Sequence, residues 1–190
     1  MQSESGVTLI ELMITLVVAG ILLAIAIPNF QSFLVNNTIT STSTEILGTL
    51  NYARSEAVTR GESVTVCPSA NGAACGGSWG NGWIVFVDHD SGGTVNGTDQ
   101  VLRVHAALTN NYSAASTLTD SSGTAVSYLT YSRSGIANDT GTIAICYKND
   151  RTRSQAVSIT TTRPRIAPDT DGDLIPNKEN GADISSCANP

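Results

Sequence analysis

Charge is scarce in this sequence. Asp, Glu, Lys and Arg together supply only 14% of its 190 residues. That is low in Lys and Glu for a cytosolic domain. It suits a turn-rich β domain outside the cytoplasm, where Thr, Ser and Gly take their place. Basic residues are the scarcer sign, 10 against 16 acids for a net charge of −6, which argues against nonspecific nucleic-acid binding by the body as a whole. The short signatures of common catalytic sites are also missing: there is no Walker-type phosphate loop, no G-x-S-x-G and no H-E-x-x-H. His89 and His105 stand alone, one in an expected turn and one on an expected strand, and read as core or surface residues. Trp79 and Trp83 flank an Asn-Gly turn and read as packing residues. On these grounds the chain is not expected to be an enzyme.

Closely spaced soft metal ligands are absent as well. Four cysteines, Cys67, Cys75, Cys146 and Cys187, contain no C-x-x-C pair, so two disulfides in an oxidising compartment are the better reading than zinc. Four cysteines allow three connectivities. Cys67–Cys75 with Cys146–Cys187 is preferred, because it closes the short loop between Pro68 and Ala74 and ties the tail to a late strand. Cys67 with Cys146, linking two strands, is the rival.

What is present is one long apolar run. Val7 to Ile27 reads VTLIELMITLVVAGILLAIAI, 21 residues with Glu11 as the one charge. At about 1.5 Å per residue such a helix spans a hydrocarbon core of about 30 Å. Ahead of it stands only MQSESG, whose small residue Gly6 precedes the apolar run, whereas an ordinary secretory signal places its cleavage site after it. Cleavage after Gly6 would leave the helix on the mature chain and make Glu11 its fifth residue, either paired with an α-amino group of its own chain or a neighbour, or staying wet near the lipid headgroups. An intramembrane carboxylate costs about 2.5 kcal/mol or more at the bilayer centre and marks a function with a partner.

After Pro28, which removes a backbone donor and is expected to kink a continuing helix, the chain turns polar. A helical stripe persists through Ile39, Ile46, Leu47, Leu50, Ala53, Ala57 and Val58. Arg60 and Gly61 form a helix stop. The period then switches to two in Ser63–Cys67, Trp83–Asp88, Val101–His105, Ser127–Arg133, Thr142–Tyr147 and Ala156–Thr161, with Asn-Gly pairs at 71–72, 81–82 and 96–97 as turns. One helix followed by runs of strands makes an α+β fold with a mostly antiparallel sheet. Arg54 and Glu56 read as residues of the helix surface.

Gly6, then Val7-Thr8-Leu9-Ile10-Glu11-Leu12-Met13, then an apolar run ending at Pro28, resembles the class III signal of type IV pilins and pseudopilins. The stretch from Leu50 to Gly61, Val64–Cys67 and Asn81–Asp88 narrows this to a resemblance to the GspH/FimT family of minor pilins and pseudopilins. The resemblance covers about the first hundred residues and beyond Arg103 rests on strand pattern. It implies a pilin-like fold: leader 1–6, hydrophobic N-terminal helix 7–33 as anchor, and globular domain 34–190 with a disulfide-tied tail. It further implies cleavage between Gly6 and Val7 by a prepilin peptidase, N-methylation of Val7, and a role for Glu11 and Pro28 in assembly with other pilins. The expected location is the inner membrane as a single-pass precursor, then the pilus, periplasm or cell surface. The sequence departs from the family in having Val7 where Phe or Met is usual, and in a leader without Lys or Arg. Three functions compete: a minor pilin that primes or caps a type IV pilus, a DNA-binding minor pilin for uptake in transformation, and a GspH-like pseudopilin of type II secretion.

Two features of the second half bear on that choice. From Arg133 to Arg165 six bases face two acids, Asp139 and Asp150. Lys148, Arg151 and Arg153 flank an expected hairpin turn at Asn149-Asp150, and Arg163-Pro164-Arg165 follows the next strand. Brought together, these residues offer phosphate contacts. Thr162-Arg163-Pro164-Arg165 resembles the Gly-Arg-x-Arg motif of DNA-binding relatives but lacks its glycine. The alternative is a solvated hairpin. The tail then reverses sign: Asp169, Asp171 and Asp173 alternate as in aspartate-rich extracellular calcium repeats. Here calcium binding competes with an acidic surface loop, or with a tail folded over the basic hairpin.

Overall fold

A threonine begins the first element. In a computed structural model, which describes residues 6–109, 111–178, 181–184 and 187, helix α1 runs from Leu9 to Arg60. The Thr8 hydroxyl oxygen accepts the backbone N–H of Glu11 at 3.3 Å, one half of a capping box with Thr at the cap and Glu three residues on. Pro28 lies inside α1 and costs it the bond to the carbonyl four residues back. At the far end Gly61, at φ 69°, donates its N–H to the Ala57 carbonyl at 3.0 Å, a conformation that glycine enters without a Cβ penalty.

By its internal contacts the chain divides into two compact units, Met1–Thr38 and Ile39–Pro190. In the first, every large apolar side chain from Leu9 to Leu34 is at least 47% exposed, and this part of α1 is long and apolar enough to cross a membrane. In the second, α1 is amphipathic. Ile39, Ser43, Ile46, Thr49, Leu50, Ala53 and Ala57 are buried, and Thr44 donates its hydroxyl proton to the Thr40 carbonyl at 2.8 Å, so its polar side chain is satisfied within the helix.

Among the described residues nine strands follow, β1 Val64–Pro68, β2 Trp83–Val87, β3 Gln100–His105, β4 Tyr112–Thr119, β5 Ala125–Val126, β6 Leu129–Tyr131, β7 Thr140–Tyr147, β8 Asp150–Ile159 and β9 Pro164–Ile166. They form two antiparallel sheets, in the orders β3-β2-β1-β6 and β5-β4-β7-β8-β9. The expected strand from Ser127 to Arg133 shrinks to β6 at the edge of the first sheet. In the second sheet β4 carries no clear alternation in Tyr112-Ser113-Ala114-Ala115-Ser116-Thr117, so sequence pattern misses it.

The core gathers Ile46, Leu50, Ala53 and Ala57 of α1 with Trp79, Trp83, Leu129, Tyr131, Ile143, Ile145, Val157 and Ile159. Each large member contributes roughly 1.5–3 kcal/mol when removed from water. Sheet β3-β2-β1-β6 is also covered on its other face: Cys67, Ile84 and Phe86 pack with Cys75, Val95, Val101 and Tyr128. That double burial explains the unbroken apolar run of β2. The other face of the second sheet is made of small residues, and Ala144, Cys146 and Ala156 there receive Ala167, Ile175, Ile184 and Cys187 from the tail.

Candidate functional site

The residues that the resemblance would tie to processing and assembly lie at the start of α1. Gly6 and Val7 are exposed ahead of the cap, and Glu11 is exposed in the first turn, where its negative charge opposes the positive end of the helix dipole. The carboxylate is free to meet a cation outside its own helix while its backbone N–H is held by Thr8.

The basic residues divide into two groups. Lys148 and Asn149, at φ 52° and 59°, make the tight turn between β7 and β8, and Arg151 and Arg153 follow on β8. Arg163 precedes β9 and Arg165 lies within it, with Arg165 opposite Ser158 and Pro164 opposite Ile159. Pro164 is accommodated because β9 is an edge strand. The turn and the second Arg pair therefore sit at opposite ends of β8, about 23 Å apart from Arg151 to Ser158 at the usual rise per residue. The expectation that they meet is overturned by the length of β8: its polar first half, Asp150 to Ser154, continues the hairpin instead of forming a loop.

The tail reaches the hairpin group. Arg151 Nη1 donates to the Ile184 carbonyl at 3.2 Å, and the Ser113 hydroxyl contacts both Asn149 Oδ1, at 2.8 Å, and the Cys187 carbonyl, at 3.1 Å. Disulfides join Cys146 to Cys187 and Cys67 to Cys75. Part of the tail is thus fastened over the foot of the basic hairpin, and Arg151 spends a donor on it.

Asp169, Asp171 and Asp173 each bring a carboxylate oxygen within 4.8 Å of the others. Asp169 accepts the N–H groups of Gly172 at 2.8 Å and Leu174 at 3.0 Å, and the Gly172 bond is the main cause holding its carboxyl below the ordinary range. Desolvation, then the charge of Asp173, pushes Asp171 up. Such oxygens are hard ligands of the kind calcium takes.

Sequence reading missed a second convergence. Asp88, Asp90 and Asp99 also lie within 4.8 Å of one another. Asp88 is buried, accepting from the Thr65 hydroxyl at 2.7 Å and from the N–H groups of Gly92 and Gly93 at 3.0 Å. Burial pushes its carboxyl up against those bonds. A partial signal was available in the spacing: acids at the first, third and twelfth positions of 88–99 with glycine at the sixth match part of a twelve-residue calcium loop, with Gly92 at the fifth position and Asp99 in place of its glutamate at the twelfth. The same buried network continues from Thr65 to Thr130, 2.8 Å between hydroxyls, whose N–H reaches Asp139 Oδ2 at 2.8 Å.

The family model described as type II transport protein GspH matches residues 42–162, and the prokaryotic N-terminal methylation motif matches residues 1–27. Among solved structures the chain is similar to the type IV minor pilin FimU of Pseudomonas aeruginosa in two crystal forms, at 22% identity in both. The TM-scores are 0.55 and 0.52, over 80% and 78% of this chain and 96% and 99% of that one. The minor pseudopilin EpsH from the type 2 secretion system of Vibrio cholerae is more distant, at 11% identity and a TM-score of 0.44 over 67% of this chain and 94% of that one. No curated protein matches the sequence. With the GspH model covering well over half of its length and the methylation motif at its start, the chain belongs to the GspH/FimT family, the minor pilins and pseudopilins of type IV pili and type II secretion.

Proposed function

We infer that the chain is a minor pilin that joins a type IV pilus through α1 and primes or caps the filament. The observation that carries this reading is the first half of α1, a capped helix that exposes its apolar side chains and carries Glu11 in its first turn. Exposed side chains worth roughly 1.5–3 kcal/mol each on burial call for membrane before assembly and neighbouring helices after it. On this reading a prepilin peptidase cuts between Gly6 and Val7, Val7 is N-methylated, and Glu11 neutralises the terminal amine of a neighbouring pilin. The precursor resides in the inner membrane and the mature chain in the pilus. The test is cross-linking from α1 in cells that make the pilus. Adducts with other minor pilins support it, and adducts with secretion pseudopilins transfer the protein to a type II secretion machine.

A second reading, DNA uptake, is supported by the exposure of Lys148, Arg153, Arg163 and Arg165 in a chain otherwise poor in bases. The two groups would contact phosphates separately, so neutralising one pair should lower the salt dependence of binding by about two counterions. Gel shift of the full-length chain with Arg163→Ala/Arg165→Ala beside it tests this, and no shift at low salt removes it. Calcium on Asp169, Asp171 and Asp173 is part of the same proposal, as a fastener of the tail rather than a catalytic ion.

A further inference from the structure

The outer face of the second sheet is divided in two. On one half Ala144, Cys146 and Ala156 lie under the tail. Two residues on from the alanines the face turns to hydroxyls. Thr117 on β4 stands opposite Thr142 on β7, Thr119 stands opposite Thr140, and Thr142 stands opposite Ser158 on β8. Side chains alternate along a strand, so these hydroxyls share the face of Ala144 and Ala156. The tail walls them in at Lys178. Thr117, Thr119, Thr140, Thr142, Thr160 and Lys178 line a cavity of about 640 Å³, within the size range of small-ligand sites.

Thr142 sets this cavity apart from a gap between sheet and tail. It is 4% exposed, yet its hydroxyl has no hydrogen-bond partner among the described residues. Its neighbours are provided for. The Thr160 hydroxyl donates to the Arg163 carbonyl at 2.9 Å, and that of Thr119 reaches the Thr140 carbonyl at 3.5 Å. On the first sheet the buried hydroxyls of Thr65 and Thr130 satisfy each other. A hydroxyl as buried as that of Thr142 is destabilising until something bonds it, and the space it lines is the cavity.

The surroundings select the kind of ligand. β4, β7 and β8 are inner strands of their sheet, so their backbone groups are taken up in the ladders and an extended peptide finds no edge to join. Among the described residues no carboxylate lines the cavity, which leaves a hard cation without the charged oxygens it takes. What the walls offer is an array of threonines. Each hydroxyl both donates and accepts, as the hydroxyls of a sugar do, and each methyl group can cover the C–H face of a sugar ring. We propose that this cavity is a saccharide-binding site, in which Thr142 bonds a ligand hydroxyl between Thr117 and Thr140.

The full-length chain, in a zwitterionic detergent that brings no sugar headgroup, is mixed in turn with maltotriose, triacetylchitotriose and trigalacturonate. Saturation-transfer NMR reads contact and affinity. At least one trisaccharide is expected to receive saturation. Thr142→Val keeps the shape of the side chain and removes its hydroxyl. It is expected to weaken binding by about three- to tenfold, with a Tm equal to or above that of wild type, because the lost hydroxyl had no partner in the protein. Thr117→Phe fills the cavity from its exposed wall and is expected to abolish the transfer with circular dichroism unchanged. No transfer to any of the three sugars, transfer unaltered in either variant, or a Tm lowered by Thr142→Val overturns the proposal.

Discussion

The Thr8 hydroxyl holds the backbone N–H of Glu11 at 3.3 Å, so the one charge in the apolar run of α1 is positioned by the residue that starts the helix. The two roles are separable. Thr8→Ala should weaken the helix start by about 1 kcal/mol and leave the charge in place. Glu11→Gln should preserve helix content by circular dichroism and abolish recovery of the chain in sheared filaments. Equal recovery of both variants would remove the special role of Glu11.

The tail is held by Cys146–Cys187 and by small apolar contacts on the outer face of the second sheet. Closing a loop of this size adds about 2–4 kcal/mol. Cys146→Ser/Cys187→Ser should therefore lower Tm by several degrees and open the tail to protease. Cys67→Ser/Cys75→Ser, which frees a much shorter loop of separation 8, should cost less.

Buried Asp139 accepts the Thr130 N–H, and burial pushes its carboxyl above the ordinary range against that bond. A carboxyl raised in the folded state stabilises fully below the unfolded pKa of about 3.9 and loses that contribution as pH rises through the folded value. Asp139→Asn keeps an acceptor for Thr130 and removes the titration. The Tm advantage of wild type over this variant should grow as pH falls from about 7 towards about 3. A constant difference would place Asp139 in a more solvated setting.

Gly141 in β7 has φ 146°, and a Cβ there would run into the carbonyl oxygen of Thr117 on β4. Gly141→Ala should part β4 from β7 and destabilise the fold by about 3 kcal/mol or more, read as a loss of Tm. Gly48→Ala on α1, where a Cβ meets nothing within 4 Å, is the control and should be neutral or stabilising by up to about 1 kcal/mol.

Calcium added to the full-length chain in detergent should raise Tm, and chelator should reverse the rise. Asp171→Asn/Asp173→Asn should abolish it if the tail loop holds the ion. A rise that survives in that variant assigns it to the loop 88–99.

The helix, its stop at Gly61 and the strands of the first sheet were legible because each has a strong period or a chemically required residue. The strands of the second sheet were less so. β4 is built of Ser, Ala and Thr, since its outer face shares a surface of small residues, and such residues carry little pattern. β8 begins in the polar run Asp150-Arg151-Thr152-Arg153, which reads as loop until the hairpin partner β7 is known. That one misreading made the two basic groups look adjacent. The Arg151–Ile184 contact depends on where a tail without periodicity comes to rest, and no local signal encodes it. Asp88 directly follows the apolar strand Trp83–Val87, so by period it reads as a strand end, and only the folded loop after it reveals the carboxylates that meet it.

Intact-mass analysis and N-terminal peptide sequencing of the chain from sheared filaments test the central claim most directly. The account predicts a mature chain that begins at N-methylated Val7 and co-purifies with the filament. A chain found only in the membrane fraction, still beginning at Met1, would contradict it.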